Sequence, residues 1–118
     1  MNEYLPGIHI IATLQSSNVS LLSSYEQFKA CIEKLITQFE LQNLGEVYHN
    51  FLPAGFTAVI CLSESHISIH TWPEFGKINL DIYLSNYLRN NDGTVQTIFK
   101  ELITFFEATI VEQHFIQR

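Results

Sequence analysis

Two alternating stretches on either side of the turn PEFG most constrain the fold of this chain. HISIHTW (66–72) and KINLDIYLS (77–85) place apolar residues at every second position. This is the period of a β-strand that buries one face and leaves the other polar. Such strands need a second layer to cover their apolar face. The pattern therefore predicts part of a largely antiparallel sheet packed against helices.

Two segments with apolar residues at helical spacing supply that second layer. A helix is predicted near 24–40, with Ser23 and Glu26 as a capping box, and another follows the loop NNDGT, capped by Asp92 or Thr94. The remaining predicted strands are 7–15, 46–51, 56–63 and 108–116, of which the continuously apolar third is expected to be covered on both faces. The order β-α-β-β-β-β-α-β predicts an α+β fold, a two-layer sandwich of a mostly antiparallel sheet with both helices on one face.

Length and composition predict one globular domain over 1–118, with 47% hydrophobic and 15% charged residues. A net charge of −6 with six Lys and Arg disfavours nucleic-acid binding. The sequence has no apolar run long enough to span a membrane and no recognisable secretory signal. We therefore expect a cytoplasmic location. Cys31 and Cys61 are expected to be buried free thiols, and no metal is expected because neither lies in a CxxC pair. Arg89, like Lys77, is expected to be solvated.

The stretch SESHISIHTWPEFG (63–76) concentrates side chains that can bond, attack or transfer protons. Its simplest interpretation is a strand whose isoleucines face the core while its histidines face water. His66 and His70 lie four apart, which leaves a wide gap between them on a strand and disfavours a shared metal. Ser65 lacks the G-x-S-x-G motif of a serine hydrolase. The residues alone leave a structural and a catalytic interpretation open.

The motif LSESHISIHTWPE resembles the processing and active-site motif of the prokaryotic S-adenosylmethionine decarboxylases. The likeness continues through GKINLDIY and HNFLPAGFTAVI, and weakly to GIHIIA, in the same order along most of the chain. It implies a self-processing, pyruvoyl-dependent carboxy-lyase that makes the aminopropyl donor for spermidine in polyamine biosynthesis. It also implies active sites at a subunit interface, and hence a homodimer or homo-oligomer that takes a small cationic substrate.

The resemblance implies that the chain cuts itself between Glu64 and Ser65, which would yield fragments 1–64 and 65–118. The Ser65 hydroxyl would attack the Glu64 carbonyl, and the resulting ester would undergo β-elimination. Residue 65 would then become a pyruvoyl group, the electron sink that forms a Schiff base with the substrate amine. The zymogen would thus make its own cofactor, without a metal.

Further site residues follow from matching positions in the family motif. His70 matches the histidine that assists proton transfer during processing. Thr57 stands where the family has a serine used in processing, so the hydroxyl is retained. Phe51 matches an aromatic residue that stacks on adenine, and Glu74 matches the carboxylate that holds the ribose hydroxyls. Trp72 is expected to be mainly structural.

Two further positions depart from the family pattern and leave the substrate open. Ser85 stands where the family has the cysteine that reprotonates the α-carbon, and an alcohol is a far weaker acid than a thiol. Thr13 stands where the family usually has an acidic residue. One alternative is therefore the same pyruvoyl chemistry on arginine or ornithine. A second alternative is an unprocessed homologue that acts as a binding or regulatory subunit.

Overall fold

The structure is a computed structural model that describes residues 3–118. These residues form six β-strands, three α-helices and a short 3-10 turn at Pro73–Phe75. The strands are β1 (Ile8–Gln15), β2 (Asn43–Asn50), β3 (Phe56–Leu62), β4 (Ser65–Trp72), β5 (Lys77–Leu84) and β6 (Thr109–Gln117). The helices are α1 (Val19–Ser23), α2 (Glu26–Gln38) and α3 (Asp92–Phe106). Within this part of the chain, no helix combines the length and apolar character needed to cross a membrane.

The strands form one sheet in the order β2-β3-β4-β5-β1-β6, and every neighbouring pair is antiparallel. The predicted α+β class and the order of the long elements are confirmed. The difference is α1, which lies in a stretch that we expected to be a polar connection. The Asn18 side chain starts this helix by accepting a hydrogen bond from the Leu21 N–H.

One face of the sheet and the helices enclose a single apolar core. The alternation in β4 and β5 brings their isoleucines and leucines to this face, where they are at most 1% exposed. Burying a side chain of this size stabilises the fold by about 1.5–3 kcal/mol. The helices contribute their apolar stripes, with Phe28 and Ile32 from α2 and Ile98 and Leu102 from α3 fully buried. The layers therefore match the predicted sandwich.

The opposite face of the sheet, called here the outer face, carries no helix in the described chain. Val59 of β3 is 43% exposed on it, and Cys61 is exposed as well. The prediction that β3 is covered on both faces is therefore wrong for this protomer, and so is the prediction that Cys61 is buried. Cys31 is a half-buried free thiol.

Both predicted helix caps are wrong in detail. Ser23 ends α1, where its hydroxyl donates to the Val19 carbonyl at 2.6 Å, and α2 begins after Tyr25 without a side-chain cap. The residue before α3 is Asn91, which also makes no capping hydrogen bond. Its side-chain amide instead donates to two groups beside the β3–β4 turn.

Candidate active site

The bond between Glu64 and Ser65 lies in a tight hairpin. β3 ends at Leu62 and β4 begins at Ser65, so only Ser63 and Glu64 connect them. Two-residue hairpins usually have positive φ at a central residue. Here neither connecting residue does, whereas Ser65 has φ +130°.

A φ of this size is a conformation that favours glycine, and it costs a residue with a side chain on the order of 1–3 kcal/mol. The φ of Ser65 describes rotation about the bond between its amide nitrogen and Cα, and it includes the Glu64 carbonyl carbon. Breaking the peptide bond between Glu64 and Ser65 removes this constraint. The strained torsion of this turn is therefore adjacent to the peptide bond between Glu64 and Ser65, and cleavage of that bond would release the strain.

The carbonyl of this peptide bond is already polarised. The Ser85 backbone N–H donates to the Glu64 carbonyl oxygen at 2.7 Å. Attack on the Glu64 carbonyl carbon would place negative charge on that oxygen, and a donor at this distance would stabilise it. Ser85 also lines a recess of about 210 Å³ together with Tyr4, Leu5 and Tyr87. The predicted site residue Ser85 is thus beside the predicted cleavage site.

Glu64 is buried, with 6% of the residue's surface exposed. Arg89 binds its carboxylate through two nitrogens, at 3.0 and 2.9 Å, and the Asn91 amide adds a third hydrogen bond at 3.1 Å. The hydrogen bonds from Arg89 hold the pKa of the Glu64 carboxyl below its ordinary value. The expectation that Arg89 is simply solvated is therefore wrong. We call Glu64, Ser65, Ser85, Arg89 and Asn91 the Glu64 cluster.

A second group of predicted residues lies at the other end of β4. Thr57 of β3 pairs with His70 of β4, and the Thr57 hydroxyl lies 2.5 Å from His70 Nδ1. A recess of about 380 Å³ beside them is lined by Phe51, Trp72 and Glu74. Phe51 is 49% exposed, so its ring is free to contact a ligand. We call Phe51, Thr57, His70, Trp72 and Glu74 the His70 cluster.

The described chain does not bring these two clusters together. Ser65 and His70 are the first and sixth residues of β4, a separation of about 16 Å along a strand. Thr57 is at the far end with His70, whereas Ser85 is beside Glu64. The residues predicted to cooperate in cleavage are thus divided between two ends of one protomer, and their roles stay predictions.

The outer face carries one further group of titratable residues. His9, His66 and Asp81 are the only described residues whose grouping could hold a metal ion. However, Arg118 Nη1 lies 3.2 Å from His9 Nδ1. Because a guanidinium only donates hydrogen bonds, Nδ1 must accept and Nε2 carries the proton. The Nε2 proton faces Asp81 Oδ2, 3.6 Å away, so a metal ion bound at Nε2 would have to displace this proton. Burial lowers the pKa of His9, which also favours this neutral form.

Sequence reasoning did not identify Arg89 and Asn91. Arg89 and Asn91 lie 25 and 27 positions after Glu64. They stand in a loop and at the start of a helix, where the sequence has no regular hydrophobic pattern that would place their side chains. The lone buried carboxylate could have suggested a basic partner, but its burial is itself visible only in the fold. Thr13, the other departure from the family pattern, hydrogen-bonds the Asn79 side chain on the outer face at 3.3 Å.

Comparison with known proteins identifies the family. A family model described as S-adenosylmethionine decarboxylase matches residues 8–118. The S-adenosylmethionine decarboxylase proenzyme of Archaeoglobus fulgidus is 34% identical over 112 residues, which cover 95% of this chain and 96% of that protein. The proenzyme of the same name from Picrophilus torridus is 38% identical over 96 residues, 81% of this chain and 74% of that protein.

A solved structure agrees with the sequence comparisons. The crystal structure of the adenosylmethionine decarboxylase from Aquifex aeolicus aligns with a TM-score of 0.85 at 27% identity. The alignment covers 98% of this chain and 92% of that chain. The resemblance inferred from LSESHISIHTWPE is thus confirmed over nearly the whole length. The chain belongs to the S-adenosylmethionine decarboxylase family.

Proposed function

We propose that this protein is a self-processing, pyruvoyl-dependent decarboxylase of S-adenosylmethionine, whose product supplies the aminopropyl group of spermidine. The observation that carries the proposal is the geometry at Glu64–Ser65 in a chain of this family. Ser65 has a strained φ of +130°, and the Glu64 carbonyl accepts a hydrogen bond from the Ser85 N–H at 2.7 Å. Both features favour attack at this carbonyl.

Cleavage begins when a base takes the proton of the Ser65 hydroxyl and the oxygen attacks the Glu64 carbonyl carbon. The C–N bond breaks as the amine takes up the proton, which leaves an ester between the two residues. Removal of the Ser65 α-proton then breaks the Cβ–Oγ bond and frees the main-chain carboxylate of Glu64. The dehydroalanine at 65 takes up water and loses ammonia, which leaves the pyruvoyl group on 65–118. A serine hydroxyl needs a nearby base for the first step.

We infer that this base comes from a second copy of the chain. His70, hydrogen-bonded to Thr57, suits the role, but it lies about 16 Å along β4 from Ser65 of its own chain. Two copies packed through their outer faces about a two-fold axis would place the Glu64 cluster of one against the His70 cluster of the other. The exposed Val59 and Ile11 on this face support such packing. The homodimer would then contain two shared sites.

The His70 cluster also suits the substrate. The half-exposed Phe51 ring offers a face for stacking adenine, and the exposed Glu74 carboxylate can accept hydrogen bonds from ribose hydroxyls. Aromatic faces also attract a sulfonium cation by about 0.5–2 kcal/mol. The pyruvoyl group supplies the electron sink for loss of carbon dioxide. This chain's residues bind and orient the substrate and provide the proton for the α-carbon.

The family relationship favours this substrate over arginine and ornithine, and it favours an enzyme over a binding subunit. The two free cysteines suit a reducing compartment, which supports a cytoplasmic location. The net charge of −6 disfavours nucleic acid as a partner.

Carbon dioxide release from three substrates tests the proposed function. We expect kcat/KM for S-adenosylmethionine to exceed that for arginine or ornithine by at least about tenfold, because only the sulfonium substrate carries adenine and ribose to bind. The Ser65→Ala protein serves as the blank. Release only from arginine or ornithine would contradict the assigned substrate, and no release from any cleaved preparation would contradict the reaction.

A further inference from the structure

The Glu64 side-chain carboxylate is buried and hydrogen-bonded, although a hairpin turn at the surface can form without burying a charge. A glutamate in a two-residue turn is most stable when it is solvated, since burying a charge costs free energy unless it is fully paired. Here the side chain is 7% exposed and takes two hydrogen bonds from Arg89 and one from Asn91. The Arg89 side chain is itself 41% exposed, and an ion pair of this kind contributes little to stability, so its main effect here is expected to be on the conformation of the turn.

The same two residues connect the carboxylate to the surrounding backbone. The Asn91 amide donates to the Ser85 carbonyl at 2.8 Å, and Asn91 is 1% exposed. Arg89 Nη2 donates to the carbonyls of Phe39 and Glu40 at 3.0 and 3.2 Å. The turn is thus linked to the segment that carries Ser85 and to the end of α2.

We propose that Arg89 and Asn91 are positioning residues for self-cleavage, which hold the Glu64 side chain so that its carbonyl stays aligned with the Ser85 N–H. The inference rests on the proposed function, because it concerns the same cleavage step. Arg89 fixes the carboxylate, and Asn91 links that carboxylate to Ser85. Three hydrogen bonds thus close a ring: from the Asn91 amide to the Glu64 side chain, from the same amide to the Ser85 carbonyl, and from the Ser85 N–H to the Glu64 main-chain carbonyl. This ring holds the Ser85 N–H against the Glu64 carbonyl.

The arrangement also has a consequence after cleavage. Glu64 would become the last residue of 1–64, whereas Arg89 and Asn91 belong to 65–118. Their three hydrogen bonds to the Glu64 carboxylate would then join the two fragments at the new chain end. The same residues that align the bond would keep the departing terminus beside Ser85.

The test follows the rate of cleavage of freshly synthesised full-length chain. Misplacing a reacting group by about 1 Å costs up to about 10²-fold in rate, so we expect Arg89→Gln to cleave at least about tenfold more slowly than the wild type. Arg89→Lys should recover part of the rate, since lysine keeps the charge but not the two-point contact. Lys100→Gln, which removes an exposed charge on α3, is the matched control and should cleave at the wild-type rate.

A double-variant comparison distinguishes positioning from a general structural effect. If Arg89 acts through Glu64, then Glu64→Gln with Arg89→Gln should be no slower than the slower single variant. Guanidinium added at millimolar concentration should accelerate Arg89→Ala but not the wild type. Each variant is also made with Ser65→Ala, so that the folding of the uncleaved chain is checked by its thermal midpoint.

Wild-type cleavage with an unchanged rate in Arg89→Gln would overturn the inference while leaving the proposed function intact. Losses that simply add in the double variant would also overturn it, because Arg89 would then act through another contact. If a folded Arg89→Gln chain cannot be obtained, the rates of Arg89→Lys and of rescued Arg89→Ala decide the matter. Failure of the wild type itself to cleave would instead contradict the proposed function.

Discussion

Two variants that are each unable to cleave are expected to restore cleavage when they are combined. A Ser65→Ala chain keeps His70 but has no attacking hydroxyl, whereas a His70→Ala chain keeps the hydroxyl but has no base. Because the two positions lie at opposite ends of β4, a mixed dimer would contain one site with both groups intact. In an equal mixture, about half of the His70→Ala chains should pair with the other variant and cleave.

The measurement uses co-expression with tags of different size, followed by a denaturing gel. Only the His70→Ala chain should yield fragments, and neither variant should cleave when expressed alone. Lys100→Ala, which shortens an exposed side chain on α3 and so lies away from the outer face, is the control and should cleave alone. Mixed dimers that form but stay intact would contradict a site shared between copies. Full cleavage of His70→Ala alone would show that another base serves Ser65.

Ser85→Cys is expected to accelerate decarboxylation by about tenfold or more, measured as kcat per cleaved chain. Position 85 lies beside the cleavage site, where the Ser85 N–H contacts the Glu64 carbonyl. A thiol with a pKa near 8.5 gives up a proton far more readily than an alcohol, and a well-placed acid contributes about 10²–10⁴-fold to a rate. The backbone contacts at 85 do not depend on the side chain, so self-cleavage should continue.

Ser20→Cys adds a thiol at an exposed position of α1 and should leave kcat unchanged. The dependence of kcat on pH should also acquire a thiol-like ionisation in the Ser85→Cys protein alone. An unchanged kcat in Ser85→Cys, with normal cleavage, would show that another group delivers the proton to the α-carbon. Serine in place of the family's cysteine at position 85 would then have no effect on the rate of decarboxylation.

The sheet was predictable because its signal is periodic. The isoleucines of β4 and the apolar residues of β5 alternate over seven or more residues, and only a strand with one covered face satisfies that pattern. The continuous apolar run of β3 has no such period, so it did not reveal that Val59 and Cys61 would be exposed. A run of this kind indicates a strand, but it does not show whether one or both faces of that strand are covered within the protomer.

The site was only partly predictable. The family motif identifies Ser65 and His70, but their separation of about 16 Å along β4 was not predicted from the sequence. The contact of Arg89 with Glu64 joins a turn and a loop, and neither has a regular period that could place its side chains. The same applies to the positive φ of Ser65, which depends on how Ser63 and Glu64 close the hairpin. These features required the three-dimensional structure.

Intact-mass measurement of the purified protein tests the central claim most directly. We expect two species under denaturing conditions, fragments 1–64 and 65–118. The second should be lighter than the simple hydrolysis product by one ammonia, because a pyruvoyl group replaces the N-terminal serine. A single 118-residue species after prolonged incubation, or a second fragment that begins with an unmodified serine, would contradict the account.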